Sequence, residues 1–201
     1  MLKIGITGGI GCGKSQVCHL LEEKGIPIVH ADLVAREMMD TDEAIISQIK
    51  KILGEAAYLP NGKLDRKRVA EIIFNDEHAK QQINQIVHPQ VIEYQKQELE
   101  KLEQSGKYGF AGVEAALIFE ARAEKQFDVI VVVAASKATV INRLMKRDGL
   151  SKQEILKRIE SQMPLSEKIK RADFVIYNDG SLDELNHEVN RLFYWLNNHE
   201  R

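Results

Sequence analysis

The stretch Gly5-Ile6-Thr7-Gly8-Gly9-Ile10-Gly11-Cys12-Gly13-Lys14-Ser15-Gln16 constrains this chain more than any other. Glycine inside regular structure costs about 0.5–1 kcal/mol relative to alanine, so a run this dense in glycine needs a use for bare backbone. Gly8 to Ser15 fits the pattern G-x-x-x-x-G-K-[ST] at every position. Leu2 to Ile6 before it reads as a buried strand, and Lys14 to Glu23 after it carries Val17, Leu20 and Leu21 at helical spacing. Strand, glycine loop and helix together make a phosphate cradle: backbone N–H groups converge on one hollow, and the new helix adds its free donors and positive dipole end. Gly9, Gly11, Cys12, Gly13, Lys14, Ser15 and Gln16 are therefore candidate nucleotide-binding residues. Lys14 is expected to reach the β- and γ-phosphates and Ser15 to ligate Mg²⁺. A dinucleotide loop is disfavoured, because no G-x-G-x-x-G register exists between Gly8 and Ser15.

The rest of the chain fits an α/β fold with a parallel sheet. Ile26 to His30 reads as a second strand, Phe110 to Phe119 as a third, Val129 to Ala134 as a fourth and Phe174 to Tyr177 as a fifth. Leu33 to Tyr108 holds no strand-like run and reads as a helical insertion, with Asp65 as the N-cap of a helix over Arg66–Phe74. His88-Pro89 is expected to interrupt a helix there. Lys137 to Arg171 is helical and locally basic, with breaks at Asp148-Gly149 and Pro164. Leu182 to Asn197 closes the chain as an amphipathic helix.

Composition excludes more than it selects. Among 201 residues, 28 Lys and Arg face 30 Asp and Glu, so no net charge argues for nucleic acid or a membrane surface as partner. Two cysteines, Cys12 and Cys18, cannot build a disulfide framework. No signal-peptide layout precedes the first strand and no apolar run is long enough to span a bilayer, so a cytoplasmic location is expected. The histidines and cysteines show no zinc spacing. Asn-Lys-x-Asp and Asp-x-x-Gly, the usual guanine-protein strings, are absent, which leaves kinases, ATPases and nucleotide-dependent regulators.

Several residues outside the loop could carry chemistry. Asp32 follows the second strand at the sheet edge where ligands bind in open α/β folds. A carboxylate there suits a hydroxyl acceptor, whose proton it can take; the bland alternative is a helix N-cap. Arg36, one turn on, can pair with Asp32 or bind an acceptor phosphate. Glu114 is a charge among apolar strand residues, fit for a metal-linked or acceptor-linked role or for a buried ion pair. Glu120 is a candidate cap for a following helix. Arg143 and Arg147 share a helix face and could neutralise a transferring phosphate from a mobile flap. Cys12 is a loop filler or a thiol activated by the helix N-terminus.

The ordered set of motifs resembles the dephospho-CoA kinase family along nearly the whole chain. It runs through Gly5–Ser15, Asp32-Leu33-Val34-Ala35-Arg36, His88-Pro89, Leu117-Ile118-Phe119-Glu120, Arg143–Ser151, Arg158–Pro164, Ala172-Asp173 and Asn178–Ser181. The resemblance implies a P-loop three-layer fold with a five-stranded parallel sheet in the order 2-3-1-4-5. It implies a nucleotide-binding core over 1–32, 110–136 and 172–201, a CoA-binding helical domain over 33–109 and a lid over 137–171. It further implies transfer of the ATP γ-phosphate to the ribose 3′-hydroxyl of dephospho-CoA with Mg²⁺. Separately, a monomer is expected. Asp32 would be the base, with Lys14 and Arg143 also catalytic. Arg36, His88 and Glu114 would lie toward the acceptor, Arg147 would bind ATP, and Asn178 and Gly180 would lie by its adenine. One departure stands out. Where the family usually shows Asp-x-Pro-Leu-Leu-Phe-Glu, this chain has Glu114-Ala115-Ala116-Leu117-Ile118-Phe119-Glu120.

Overall fold

A computed structural model describes residues 1–198; the last three residues of the expected core piece 172–201 lie outside the described residues. The chain forms five strands, β1 (Leu2–Gly8), β2 (Ile28–His30), β3 (Phe110–Glu114), β4 (Val129–Ala134) and β5 (Phe174–Tyr177). They make one parallel sheet in the order β2-β3-β1-β4-β5, as expected. The helices are α1 (Lys14–Glu23), α2 (Ala31–Thr41), α3 (Glu43–Leu53), α4 (Arg66–Asn75), α5 (Glu77–Gln104), α6 (Lys137–Asp148), α7 (Lys152–Glu160), α8 (Leu165–Lys170) and α9 (Leu182–Asn198). Two compact units result, Met1–Val29 with residues from Leu99 onward, and His30–Glu98. The segment 137–171, read as a lid, falls within the first unit, and so does 99–109.

In the first unit, period-2 alternation sorts the strand residues between two faces. Leu2, Ile4 and Ile6 of β1 and Val129, Val131 and Val133 of β4 are buried in one cluster with Val17 and Leu21 of α1, Val140 and Leu144 of α6, Ile155 of α7 and Leu185, Val189, Leu192 and Leu196 of α9. A second cluster joins Ala111 and Val113 of β3 to Leu99 and Leu102 of α5, Val29 and Phe127. Trp195 packs as expected, its ring 5.4 Å from that of Phe174. The helix boundaries follow local chemistry. Gly149 closes α6 in the left-handed region, and Ser151 opens α7 in a capping box with Glu154.

In the second unit Asp42 caps α3 and Asp65 caps α4. Asp40 binds Arg66 at 2.7 Å and accepts from the Leu64 N–H, tying α2 to the start of α4.

Two expectations need correction. The proline does not break its helix: α5 runs from Glu77 to Gln104 with Pro89 inside. Ala79, Ile83, Val87, Val91, Gln95 and Leu99 form a buried stripe at four-residue spacing on both sides of the proline. Burial along that stripe outweighs the lost hydrogen bond. The third strand also ends at Glu114 rather than Phe119. After the Ala115 N–H bonds to Ile6 O, no further backbone bond joins this segment to β1, although β1 runs on to Gly8. The Ala116 carbonyl accepts instead from the Thr7 hydroxyl (3.2 Å) and the Lys168 ammonium (2.8 Å). Ala121, Arg122 and Ala123 then close turns onto Leu117, Phe119 and Ile118.

Candidate active site

The loop between β1 and α1 is held from both sides. Gly13 stands at φ +88°, in the left-handed region, and a Cβ there would collide with the Asn178 side-chain amide. That amide, buried at 6% exposure, donates from Nδ2 to Cys12 O at 2.9 Å, while its Oδ1 accepts from Arg143 at 3.3 Å. Gly11, at φ +71°, lies against Val140 and Leu144 of α6. The conformation of the glycine loop is thus set by residues from the far end of the chain.

The charged groups converge on this loop. Lys14 Nζ folds back over it, donating to Gly9 O at 3.1 Å and Gly8 O at 3.5 Å. Arg143 NH1 is buried and has no hydrogen-bond partner among the described residues, an orphaned donor that an anionic oxygen would satisfy. Ser15 Oγ donates to Glu114 Oε1 at 3.0 Å. The register places Glu114 beside Ile6 at the C-terminal end of β3. The hydroxyl and carboxylate are hard oxygen donors side by side, which suits Mg²⁺: that ion takes one or two protein oxygens and keeps water and phosphate for the rest. No cluster of three or more His, Cys, Asp or Glu is assembled for a metal among the described residues, and such a site requires none.

Other expected residues have different surroundings. Gln16 is exposed on the first turn of α1, its N–H on Gly13 O. Arg147 is exposed and forms a two-pronged bond with Asp148 at 2.7 and 2.9 Å, which holds the Asp148 carboxyl below the usual carboxylate range. Gly180 precedes the capping box of α9, where Glu184 accepts from both Ser181 N and Ser181 Oγ; a side chain on Gly180 would strike that carboxylate. Cys12 is buried, and burial pushes its thiol up despite nearby Lys14 and Arg143, so it stays protonated and packs as filler. Glu120 caps no helix. Its Oε1 accepts from Met163 N and Lys168 Nζ, both at 2.9 Å. Lys168, within the locally basic segment 137–171, is wholly buried.

Three expected residues belong to the second unit. Asp32 is not an N-cap: α2 starts at Ala31, and Asp32 stands exposed in its first turn with no hydrogen bond from its carboxylate to another described residue. Arg36, one turn on, is exposed, and only its backbone carbonyl is engaged, by Arg66. No bond joins Asp32 to Arg36. His88 is half-buried in the middle of α5, where burial lowers its pKa and favours the neutral ring. A contact network that sequence reasoning did not assign runs through Gln162, Met163, Glu120 and Lys168. Lysine and glutamine in a basic helical stretch give no hint of burial or of a loop partner.

A parallel sheet in this order, a glycine loop opening α1, and a lysine, a serine and a strand-end acid gathered around it define a P-loop phosphotransferase. Comparison with known proteins narrows the class. The family model for dephospho-CoA kinase matches residues 2–184. A dephospho-CoA kinase of Listeria monocytogenes serotype 4b is 38% identical over 92% of each chain. Among solved structures, a Thermus thermophilus protein matches with a TM-score of 0.79 at 33% identity, and dephospho-CoA kinase from Campylobacter jejuni with 0.72 at 28%; each pair covers 96% of both chains. This chain belongs to the dephospho-CoA kinase family. Among the described residues no helix is long and apolar enough to cross a membrane.

Proposed function

We propose that the chain transfers the γ-phosphoryl group of ATP to the ribose 3′-hydroxyl of dephospho-CoA, giving CoA and ADP. Family membership carries the reaction. The observation that carries the donor site is the orphaned Arg143 NH1 beside a loop already gripped by Asn178. In this reading the loop amides and Lys14 hold the β- and γ-phosphates. Arg143 takes a phosphate oxygen and offsets the charge that the bridging oxygen gains as the bond from the γ-phosphorus to it breaks and it leaves with ADP. Ser15 and Glu114 would hold Mg²⁺, which when bound neutralises phosphate charge. Asp32 takes the proton of the acceptor hydroxyl as its oxygen bonds to phosphorus; its unengaged carboxylate supports that role. Arg36 and His88 serve the acceptor side, Arg36 as an unengaged cation and His88 as a neutral ring. Asn178 acts as a strut for the loop rather than through a free carboxamide, and Gly180 leaves room for the α9 cap.

The test is to incubate the pure protein with Mg-ATP and follow ADP release with and without dephospho-CoA, with AMP as control acceptor. ADP release that depends on dephospho-CoA and yields CoA supports the reading; release with AMP alone overturns it. Asp32→Asn is expected to bind ATP normally and to lower turnover at least about a hundredfold. Turnover within tenfold of the parent sinks the base assignment.

A further inference from the structure

The α7–α8 connector, Ser161 to Pro164, lies against the glycine loop and is anchored there by side chains rather than by packing alone. Gln162 Oε1 accepts from the backbone N–H of Ile10, inside the loop, at 3.0 Å. Next to it the Met163 N–H is held by Glu120, and Glu120 by the buried Lys168. Arg171 binds Glu124 and lies over the Phe119 ring with its guanidinium carbon 4.4 Å from the centroid. The connector is therefore fixed to the loop that follows β1 and to the turns that follow β3.

The Ile10 contact also fixes which way the Gln162 carboxamide points. A backbone N–H can be met only by the oxygen, so the other prong of the planar group must be the NH₂ donor. That Nε2 has no acceptor among the described residues, although Gln162 is half-buried. Arg143 addresses the loop near Gly13, whereas Gln162 meets it at the Ile10 N–H, across the Gly9–Ile10 peptide from the Gly9 carbonyl that Lys14 Nζ bonds. The lysine of such a loop serves the β- and γ-phosphates. An oriented, unused donor at that end suits an oxygen of the terminal phosphate.

We infer that Gln162 is a phosphate-contacting residue: Oε1 is anchored on Ile10 and Nε2 donates to an oxygen of the transferring phosphoryl group. The inference rests on the reading that the loop holds ATP. The experiment compares Gln162→Ala and Gln162→Glu with the parent protein, using titration calorimetry with ADP and with β,γ-methylene-ATP, and turnover with dephospho-CoA. Gln162→Glu keeps an oxygen for Ile10 but removes the donor. Both variants are expected to bind ADP within twofold of the parent, to bind the triphosphate analogue about tenfold more weakly, and to lose at least tenfold in kcat. If Gln162→Glu matches the parent within twofold, the carboxamide is an anchor only and the inference fails. It fails equally if ADP and the analogue weaken together. Should Gln162→Ala not fold, the glutamate variant, which preserves the anchor, decides alone. A Lys14→Ala protein that binds both nucleotides normally would overturn the loop reading itself, independently of Gln162.

Discussion

Replacing Lys168 with methionine isolates the energetic weight of the buried ion pair. Lys168 is fully buried, and its ammonium makes two bonds, to Glu120 Oε1 at 2.9 Å and to Ala116 O at 2.8 Å. Methionine fills most of the same volume, so the cavity term is small. The Ala116 carbonyl keeps the Thr7 hydroxyl, so that acceptor is not orphaned. The main loss falls on Glu120, whose carboxylate retains the Met163 N–H but no cation. Breaking a wholly buried pair costs about 3–5 kcal/mol. The Glu120 side chain is 24% exposed and can recover some hydration, so about 2–3 kcal/mol is expected here. For a chain of this size that lowers Tm by about 5–10 °C. The double variant Lys168→Met/Glu120→Gln removes the stranded charge and should recover at least half of the loss. Urea and thermal unfolding of the parent, both single variants and the double complete the cycle. A loss under about 1 kcal/mol for Lys168→Met, or no recovery in the double, would refute the claim that the pair anchors the α7–α8 region.

Asn178→Ala strands the Cys12 carbonyl and frees Arg143. It should cost about 1–3 kcal/mol in urea unfolding and raise the KM for ATP at least about fivefold; an unchanged KM would show that the loop does not need the strut. Because burial holds the His88 pKa below its ordinary value, the unfolded chain binds that proton first. The His88 contribution to stability is therefore full above the unfolded pKa of about 6.5 and is lost as pH falls through that value toward the folded one. A His88→Gln protein should show a shallower fall in Tm from pH 7 to pH 5, and an identical slope would dismiss the assignment. Pro89→Ala restores the N–H that α5 lacks at an exposed position, so Tm should rise by about 2–4 °C or more; a lower Tm would mean that the proline stabilises α5 where it stands.

What could be read in advance divides along physical lines. Local signals were legible. The glycine loop, the Asp65 cap, the five strands and the α9 stripe each follow from period, propensity or capping chemistry within a few residues. Pro89 misled because a single breaker was weighed against local propensity, while the stripe from Ala79 to Leu99 records burial over about five and a half turns of helix. The overextended third strand misled for a related reason: Leu117, Ile118 and Phe119 are apolar because they pack beneath turns, and only the partner strand decides where pairing stops. Glu114, where the family usually shows aspartate, accepts from Ser15 Oγ directly, a pairing that the strand pattern alone does not announce. Contacts such as Gln162 to Ile10 span 152 residues and join types that read as surface, so nothing local announces them.

The strut from Asn178 to Cys12 spans 166 residues. β1 is made first yet sits in the middle of the sheet, flanked by β3 and β4. During synthesis, therefore, the glycine loop emerges before β3, β4 and α6, and it stays without its last support until Asn178 has followed. A growing chain thus carries the complete phosphate-binding motif in writing while lacking the means to close it on a nucleotide, and that grip waits on residues made much later than the motif itself.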